Sequence, residues 1–500
     1  MTPSTPLIIA TRPERSIAEL RPALETMAGT GAAAEIRIDR LPETELGRIA
    51  ELFPSPVPLL ATYRSRSEGG GGHDAGPARS EVLRRLLALP FSYVDLEARS
   101  DAMFAEPAGS RAGAPRIILS THLPGNAPLE AIESALAAPG PAGAWTKVVV
   151  PSSLDRFYRE IRPLVARSKG RPVPWILHTT GPSGPILRAR AAAFGFAGVY
   201  AGPALGSAAA AVEPAQIPFD ILSRYITAQA DGRLFGLVGH PVEHSLSPRI
   251  HSHWYRQMDK PGLYVALDML SDEELAYVLN PLHEEGFAGL NVTHPWKEAA
   301  LGMASRASTA ARAAGCANSL TYEGSGWFAD NFDVDAVERR LRELRDRGAW
   351  SGSDILILGS GGAARATIVA ADRLGIRASV LARDRRRVRE LVRDLGAEVP
   401  QRPDSPASLV VHATPVGRSG GGTLELPWQQ HLRPGTYFLD FVYRPQDPAV
   451  RAVVESRHGT YEDGGRLLVY QAVETHRRWW GDLPRSELVD WAIQEVVCGA

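Results

Sequence analysis

A run of apolar residues leads directly into a glycine-rich turn at Asp354-Ile-Leu-Ile-Leu-Gly359-Ser-Gly361-Gly-Ala-Ala364. The apolar run predicts a buried strand, and the residues after the turn have a helical pattern. Glycine lets the backbone approach a pyrophosphate, whose charge is stabilised at the amino end of the following helix. A Gly-x-Gly-x-x-Ala motif in this context predicts a Rossmann-type dinucleotide site. The residues whose backbone is expected to bind the cofactor are Gly359, Gly361, Gly362, Ala363 and Ala364.

The choice of dinucleotide depends on the residues after the next predicted strand, Ala378–Leu381. An NAD site generally has an acidic side chain there for the ribose hydroxyl, whereas NADP needs an arginine for the 2′-phosphate. Arg383 stands at this position, and Arg387 lies one helical turn beyond it. Asp384, an acidic residue next to Arg383, favours NAD instead. The two arginines predict that the cofactor is NADP.

The composition is that of an ordinary globular chain with several domains. At 500 residues it can hold two or three domains, each with its own core. A formal net charge of -1 gives no electrostatic reason to expect nucleic acid or an anionic membrane as a partner. The only cysteines, Cys316 and Cys498, favour a reducing compartment. We see no signal peptide or apolar run of membrane-spanning length, and therefore expect a cytoplasmic protein.

The first 200 residues alternate between short apolar runs and helical patterns. The predicted strands are Leu7–Thr11, Ala34–Asp39, Pro58–Arg64, Tyr93–Glu97, Arg116–His122, Lys147–Pro151, Trp175–Thr180 and Gly198–Ala201. The predicted helices between them include Ile17–Ala28, Glu81–Leu89, Leu129–Ala138 and Leu154–Ala166. Eight alternating units predict a (β/α)8 barrel, in which the catalytic and substrate-binding residues lie at the carboxyl ends of the strands.

A second α/β pattern follows. Its predicted strands are Leu234–Val238, Tyr264–Leu267, Gly289–Val292, Ser319–Tyr322, Asp354–Leu358, Ala378–Leu381, Leu409–Ala413 and Tyr437–Phe441. Its predicted helices are Val334–Arg347, in the middle, and Ser486–Val497, which is expected to return to the middle domain. We predict three domains: a barrel over 1–219, a substrate-binding domain over 230–333 completed by 468–500, and a Rossmann-type nucleotide domain over 334–467.

Lys297 and Asp333 are the residues of the second half that we expect to carry its chemistry. Reduction of a ketone by hydride leaves an alkoxide that must take up a proton. A lysine ammonium can donate this proton while it stabilises the developing charge. A neighbouring carboxylate keeps the lysine positioned and charged.

Several motifs in the second half resemble those of shikimate dehydrogenases, over residues 234–500. They are Gly239-His-Pro-Val-Glu-His-Ser-Leu-Ser-Pro248, Asn291-Val-Thr-His-Pro-Trp-Lys297, Gly315-Cys-Ala-Asn-Ser319, Asp330-Asn-Phe-Asp333, His412-Ala-Thr-Pro-Val-Gly417, Asp440-Phe-Val-Tyr443 and Gly465-Arg-Leu-Leu-Val-Tyr-Gln471. The resemblance implies that Lys297 and Asp333 form the catalytic pair. It implies that substrate is bound by Ser245, Ser247, Thr293, Asn318, Tyr443 and Gln471, with the two serines on its carboxylate. It also implies cofactor contacts from Thr414 and Gly465.

One departure from that family pattern is Phe332, which stands where a threonine is usual. The missing hydroxyl is expected to affect substrate affinity or choice. Four histidines, at 240, 244, 251 and 253, are also conspicuous. They have no carboxylate or cysteine partner at ligand spacing, so we expect no metal.

The first half resembles type I 3-dehydroquinate dehydratase over roughly residues 7–218. The resemblance rests on Ala34-Glu35-Ile-Arg37-Ile-Asp39, Leu60-Ala-Thr-Tyr-Arg64-Ser-Arg-Ser-Glu68, Ser120-Thr-His122 and Trp145-Thr-Lys147. It implies that Lys147 forms an imine with the substrate ketone and that His122 moves the protons. It implies that Arg188 binds the substrate carboxylate, and that other contacts come from Glu35, Arg37, Arg64, Glu68 and Gln216. Where the family usually has serine and glycine before that glutamine, this chain has Val212 and Ala215, so we expect the dehydratase to be the slower half.

The leading hypothesis is a bifunctional shikimate-pathway enzyme, both lyase and oxidoreductase. It would dehydrate 3-dehydroquinate to 3-dehydroshikimate and reduce that product to shikimate with NADPH. The alternative is a monofunctional NADP-dependent shikimate or quinate/shikimate dehydrogenase, whose inactive barrel serves as a scaffold or sensor. In either case the partners are small molecules, and the chain is expected to be a monomer or a small homo-oligomer.

Overall fold

The computed structural model describes residues 5–105, 113–207, 216–228, 231–350, 354–400, 406–417, 424–445 and 447–498. Val212 and Ala215 lie outside these described residues. The chain divides into two compact units. The first comprises Met1–Leu234, Asp259–Leu267 and Tyr277–Gly286, and the second comprises Phe235–Met258, Asp268–Ala276 and Phe287–Ala500. Every helix in the described parts of the chain is too short or too polar to serve as a membrane span.

The first unit contains the predicted barrel. Its strands are β1 (Leu7–Arg12), β2 (Ala33–Arg37), β3 (Leu59–Thr62), β4 (Tyr93–Glu97), β5 (Arg116–His122), β6 (Trp145–Pro151), β7 (Trp175–Thr180) and β8 (Gly198–Ala201). They are parallel, in the order β7-β6-β5-β4-β3-β2-β1-β8. The structure therefore confirms the predicted (β/α)8 arrangement.

Two hydrogen bonds join the strands at the two ends of this order, β7 and β8. The Ala197 amide donates to the Trp175 carbonyl at 2.9 Å. The Tyr200 amide donates to His178 Nε2 at 3.2 Å, so a side chain takes the place of a backbone carbonyl. The barrel is thus closed partly by a buried histidine.

Helices accompany the barrel strands. They are Ile17–Glu25, Glu43–Leu46, Pro77–Ala88, Leu129–Ala137, Leu154–Arg156, Arg162–Ser168, Gly184–Ala189, Ala191–Phe194 and Phe219–Ala228. Helix Phe219–Ala228 begins at the predicted end of the barrel and belongs to the first unit. The predicted helix Leu154–Ala166 is not regular, because Phe157–Ile161 forms a π-turn. Pro163 explains this interruption, since it has no amide hydrogen to donate within the helix.

Two barrel strands are shorter than predicted. β2 ends at Arg37, and Asp39 lies in the 3₁₀ turn Ile38–Arg40, where its carboxylate accepts the Gly71 amide at 3.1 Å. β3 ends at Thr62, because the chain turns there and the Gly72 amide donates to the Arg64 carbonyl at 2.8 Å. Both strand ends are fixed by hydrogen bonds from the loop that follows β3, and the strand sequences alone do not reveal these bonds.

The second unit and its flanking segments contain two further sets of strands. The first set is β9 (Arg233–Gly239), β10 (Gly262–Asp268), β11 (Phe287–Val292), β12 (Arg306–Ala307), β13 (Ser319–Tyr322) and β14 (Trp327–Asp330). β9, β11, β13, β14 and β12 follow one another in one sheet. The helices of this region are Ser247–Gln257, Asp272–Glu284, Lys297–Met303, Thr309–Ala314 and, from the carboxyl end of the chain, Gly465–Trp480 and Ser486–Cys498.

The other set forms a Rossmann-type sheet. Its parallel strands are β15 (Asp354–Leu358), β16 (Arg377–Leu381), β17 (Leu409–His412), β18 (Tyr437–Asp440) and β19 (Thr460–Glu462), in the order β16-β15-β17-β18-β19. Its helices are Phe332–Asp346, Gly362–Arg373, Arg385–Leu395 and Ala449–Ser456. This confirms the strand-turn-helix predicted around Gly359.

In the second half, the prediction placed the start of one helix too late and missed three short strands. Helix Phe332–Asp346 begins two residues earlier than predicted, so Asp333 lies in its first turn rather than before it. The strands β12, β14 and β19 were not predicted. They have two to four residues, too few for a periodic pattern, and depend on pairing with neighbours distant in sequence.

A glycine in the barrel interior gives a stability prediction. A Cβ at Gly198 would lie 3.1 Å from Trp145 Cζ3 and 3.3 Å from the Cδ1 atoms of Ile176 and Ile9. We expect Gly198→Val to lower the free energy of unfolding by about 1–3 kcal/mol through overpacking, measured by urea denaturation. Gly302→Ala is the control, because a Cβ there meets nothing within 4 Å; it should gain about 0.5–1 kcal/mol. An unchanged Gly198→Val protein would contradict the packing argument.

Candidate functional site

The barrel interior consists of layers, because alternate residues of each strand face inward. One layer is apolar and contains Ile9, Leu60, Ile118, Trp145 and Ile176. The residues two positions further along these strands are polar. They are Thr11, Thr62, Ser120, Lys147 and His178, and all are buried. A polar layer therefore lies directly on an apolar one, towards the carboxyl ends of the strands.

Lys147 lies in this polar layer and forms an ion pair with Asp95. Its Nζ atom is 3.1 Å from Asp95 Oδ2, and the lysine is 5% exposed. Asp95 also accepts hydrogen bonds from Arg64 at 2.8 Å and from Ser120 at 2.6 Å. Burial alone would raise the pKa of Asp95, but the charges of Arg64 and Lys147 lower it. Asp95 is therefore ionised and holds the lysine within the barrel.

Asp95 was not predicted from the sequence. The alternation within the strand Tyr93–Glu97 could have identified it. Asp95 stands between Val94 and Leu96, and side chains on a strand point alternately to its two faces, so Asp95 faces the barrel interior when Val94 and Leu96 face outward. An acidic residue at an inward position of a barrel strand needs a cationic partner, because an unpaired buried charge is costly. Here two cations, Arg64 and Lys147, provide it.

His122 lies beside the lysine on the next strand and contacts the loop after β3. Its Nδ1 atom is 2.9 Å from Glu68 Oε2, and Glu68 also accepts a bond from Arg64 at 2.8 Å. Removal from water, together with the charges of Arg64 and Lys147, holds the pKa of His122 well below its ordinary value. The imidazole is therefore neutral at neutral pH and can accept a proton.

The remaining predicted barrel residues occupy defined positions around this centre. Glu35 accepts hydrogen bonds from Thr11 and Thr62, both at 2.7 Å. Gln216 joins this group, because its Nε2 atom donates to Thr11 Oγ1 at 2.9 Å. The two threonines, like Asp95, were not predicted.

Two predicted arginines differ in their contacts. Arg37 forms a two-pronged pair with Asp39, with bonds of 2.9 and 2.8 Å. Arg188 is 3% exposed and donates to the carbonyls of Tyr200 and Thr179, both at 3.2 Å. Arg188 is thus anchored to β7 and β8, beside the face of the barrel that carries Lys147.

A cavity of about 640 Å³ lies in the second unit. Its lining includes all the predicted catalytic and substrate residues of this half, namely Ser245, Ser247, Thr293, Lys297, Asn318, Asp333, Tyr443 and Gln471. His240, His244 and Arg444 also line it and were not predicted as site residues. The motifs quoted from distant parts of the sequence therefore meet in one cavity.

Lys297 and Asp333 are in contact in this cavity. Lys297 begins the helix Lys297–Met303, and its Nζ atom donates to Asp333 Oδ2 at 2.6 Å. Their side chains are 19% and 12% exposed, so the pair is accessible from the cavity. Nearby, Asn318 Oδ1 accepts the Phe332 amide at 2.8 Å, which leaves the Asn318 side-chain NH₂ group for a ligand.

The Phe332 side chain is 6% exposed, and only its backbone holds Asn318. Phe332 does not appear among the described residues that line the cavity. The expected effect of Phe332 on substrate choice therefore has no direct contact to support it.

The glycine-rich turn is built for a close ligand. Gly359 has a φ of 125°, and a Cβ there would lie 2.7 Å from the Ala413 carbonyl oxygen. Around Gly361, at the start of helix Gly362–Arg373, a Cβ would meet nothing within 4 Å. At Gly362 a Cβ would lie 3.1 Å from Lys297 Cδ. The turn thus leaves room at a helix amino end and is directly beside the lysine. Ala363 and Ala364 form the first turn of the same helix.

Asp384, the acidic residue that favoured NAD in the sequence, binds backbone amides of its own chain. Its carboxylate accepts the amides of Arg386 at 2.9 Å and Arg387 at 3.2 Å, so it caps the helix Arg385–Leu395. The Arg383 side chain is exposed, and Arg387 contacts Glu298 at 3.3 Å. The capping role removes the main argument against a 2′-phosphate site at these arginines.

The two other predicted cofactor residues lie at the carboxyl edge of the same sheet. Thr414 Oγ1 is 2.6 Å from His412 Nε2, and His412 Nδ1 is 2.9 Å from Asp440. Gly465 begins helix Gly465–Trp480, where a Cβ would lie 2.9 Å from Val497 Cγ2. Its tight packing accounts for a glycine there without a ligand.

Comparisons with known proteins agree with this geometry. Residues 237–320 match the shikimate dehydrogenase substrate binding domain. The chain is 35% identical over 271 residues to the shikimate dehydrogenase (NADP(+)) of Acidiphilium cryptum, covering 53% of this chain and 95% of that protein. The chain belongs to the shikimate dehydrogenase family. The enzyme of the same name from Hyphomonas neptunium is 37% identical over 259 residues, 50% of this chain and 93% of that protein.

The family membership covers only part of the chain, because residues 10–230 match type I 3-dehydroquinase. A lyase domain thus precedes the oxidoreductase domain, and the chain is a multifunctional enzyme of the shikimate pathway. Among solved structures, shikimate dehydrogenase from Thermus thermophilus in complex with NADP(H) and shikimate is 28% identical, covering 53% of this chain and 98% of that one, with a TM-score of 0.47. Dehydroquinate dehydratase and shikimate dehydrogenase from S. pombe covers 98% of both chains, at 23% identity and a TM-score of 0.42.

The lowered pKa of His122 can be measured directly. We expect long-range ¹H–¹⁵N spectra to show a neutral ring at pH 6.5, because protonation requires a pH well below the ordinary value near 6.5. His122→Gln identifies the signal by its loss. A ring that is half protonated at or above pH 6.5 would contradict the electrostatic effect of Arg64 and Lys147.

Proposed function

We propose that this chain dehydrates 3-dehydroquinate to 3-dehydroshikimate at Lys147 and reduces that product to shikimate with NADPH at Lys297. The observation that carries the proposal is that each unit contains a lysine paired with a carboxylate: Lys147 is 3.1 Å from Asp95, and Lys297 is 2.6 Å from Asp333. The product of the first reaction is the ketone that the second reduces, so the two chemistries are consecutive.

In the barrel, Lys147 acts as a covalent catalyst. Its ammonium and the substrate ketone give a protonated imine and one molecule of water, with the positive charge kept on nitrogen. The iminium withdraws electrons from the adjacent carbon, so the neutral imidazole of His122 can remove a proton there. The electron pair moves to nitrogen and then expels the β-hydroxyl group, which takes the proton from His122 and leaves as water. Hydrolysis of the imine releases the product and restores Lys147.

In the second unit, Lys297 acts as the proton donor. Bound NADPH would supply the hydride to the ketone carbon. The ammonium of Lys297 lies in the cavity and can donate its proton to the oxygen as negative charge develops. Asp333 Oδ2, 2.6 Å from Lys297 Nζ, holds that ammonium in position.

The residues present fit NADP. The turn at Gly359 and Gly361 leaves a helix amino end open for the pyrophosphate. Arg383 and Arg387 would bind the 2′-phosphate, since Asp384 is held by backbone amides. The names of the relatives from Acidiphilium cryptum and Hyphomonas neptunium also include NADP(+).

The proposal also extends to the residues that bind the substrates, the limits of the domains, and the location of the enzyme in the cell. The substrate carboxylates would be bound by Arg188 in the barrel and by Ser245 and Ser247 in the second unit. The domains would be 1–219, 230–333 with 468–500, and 334–467. The enzyme would act on small molecules in the cytoplasm as a monomer or small homo-oligomer.

The two activities can be separated with one pair of variants. With 3-dehydroquinate and NADPH, the unaltered chain should oxidise NADPH, because reduction requires the product of the barrel. Lys147→Ala should lose this activity by at least about 10³-fold and keep its activity on 3-dehydroshikimate. Lys297→Ala should keep dehydration, followed by mass spectrometry, and lose reduction by about 10²–10⁴-fold. If the unaltered chain consumes only 3-dehydroshikimate, the barrel is a scaffold or sensor and the proposal fails for that half.

The cofactor preference depends on Arg383. Because a hydrogen bond to a charged group contributes about 1.5–3 kcal/mol, Arg383→Ala should raise KM for NADPH by about 10- to 100-fold. KM for NADH should change by no more than about 2-fold, since NADH has no 2′-phosphate. The matched control is Arg389→Ala, an exposed arginine on the helix Arg385–Leu395 that follows Arg383. Equal effects on the two cofactors would rule out the 2′-phosphate role.

A further inference from the structure

The environment of Lys147 includes an aromatic ring that no part of the proposed mechanism uses. Lys147 Nζ lies 4.1 Å from the centre of the Tyr200 ring. This is well within the roughly 6 Å over which a cation is attracted to the face of an aromatic ring. The same nitrogen is 3.1 Å from Asp95 Oδ2. The reacting nitrogen therefore contacts both a carboxylate and an aromatic face.

The Tyr200 backbone is fixed by the site itself. Its amide donates to His178 Nε2 at 3.2 Å, and its carbonyl accepts a bond from Arg188 at 3.2 Å. The His178 ring meets the Tyr200 ring edge-on, with centroids 5.6 Å apart. These contacts hold the aromatic face towards Lys147 before any substrate is bound.

The ring, rather than the hydroxyl, is the part of Tyr200 that contacts the lysine. Tyr200 is 5% exposed and packs in the apolar layer with Ile9, Trp145 and Ile176. Its hydroxyl is buried without a hydrogen-bond partner among the described residues. Burial, with Asp95 and Glu35 nearby, raises the pKa of that hydroxyl well above its ordinary value, so it stays neutral.

From these contacts we infer that Tyr200 is a catalytic residue of the barrel, whose aromatic face stabilises the positive charge on the lysine nitrogen through imine formation. This inference rests on the proposed dehydratase function. The ammonium and the iminium both carry the positive charge on this nitrogen, which is neutral only as the free amine that attacks the ketone and in the carbinolamine that loses water. A carboxylate alone could stabilise this charge, but the ring does so without accepting a proton and without admitting water to the nitrogen.

The test compares variants of the full-length chain in borohydride trapping with 3-dehydroquinate, read as added mass at Lys147. Tyr200→Phe keeps the aromatic face, and its trapping and dehydration kcat should stay within about 2-fold of the unaltered chain. Tyr200→Leu removes the face, and both should fall by about 5- to 30-fold, the range expected for a desolvated cation–π contact. KM should change little, because the ring acts on the covalent intermediate.

Two controls separate this role from a structural one. Tyr93→Leu makes the same change at another barrel tyrosine, which packs 5.4 Å from Trp145 instead of contacting Lys147; trapping should be unaffected. Reduction of 3-dehydroshikimate by the second unit should be the same in every variant.

If Tyr200→Leu fails to fold, a series of aromatic side chains of nearly the same size at position 200 provides the test. Phenylalanine with one, two or three ring fluorines at position 200 weakens the negative face of the ring at nearly constant size. The logarithm of the trapping rate should fall stepwise with fluorine number.

Three outcomes would overturn the inference: equal trapping by Tyr200→Leu, equal loss in Tyr200→Phe and Tyr200→Leu, or no change along the fluorine series. Failure of the unaltered chain to trap at all would instead refute the proposed imine chemistry, so the two failures are distinguishable.

Discussion

Charges that are buried in a barrel have to be neutralised there, and in the first unit this constraint centres on Asp95. Moving an unpaired ion into the protein interior costs several kcal/mol, so the lysine needed for an imine requires a fixed anion. Asp95 is 3% exposed and binds Lys147, Arg64 and Ser120 at once. Arg64 continues the network to Glu68, which contacts His122. One carboxylate therefore fixes the reacting lysine and, through an arginine, the group that moves protons.

The second unit reaches a similar pairing by a different route. Lys297 and Asp333 each stand at the start of a helix, and both remain partly exposed to a cavity. Their pairing costs less desolvation than the buried pair in the barrel, and leaves the ammonium open to a ligand. The close packing of Gly362 against Lys297 brings the nucleotide turn next to the proton donor. Any larger residue at that position would push them apart.

Local patterns predicted most of this structure. Alternation of apolar runs with helical patterns gave the barrel, and four of its eight strands have the predicted limits, because each is bounded by turn residues close in sequence. The motifs also contain every residue that was predicted to bind substrate in the cavity of the second unit. The errors have a common cause. β2 and β3 end early, and Asp333 lies inside a helix, because distant loops and amides supply the hydrogen bonds there.

The sequence by itself determined which groups are available: two lysines, their histidine and aspartate partners, and a glycine turn whose spacing requires a strand and a helix on either side. Only the tertiary structure decided which groups are in contact. Asp95 and Tyr200 lie 52 and 53 residues from Lys147, on strands β4 and β8, and no local pattern connects them to it. Barrel closure brings them to the same nitrogen, because parallel strands at a fixed register place their inward side chains in shared layers.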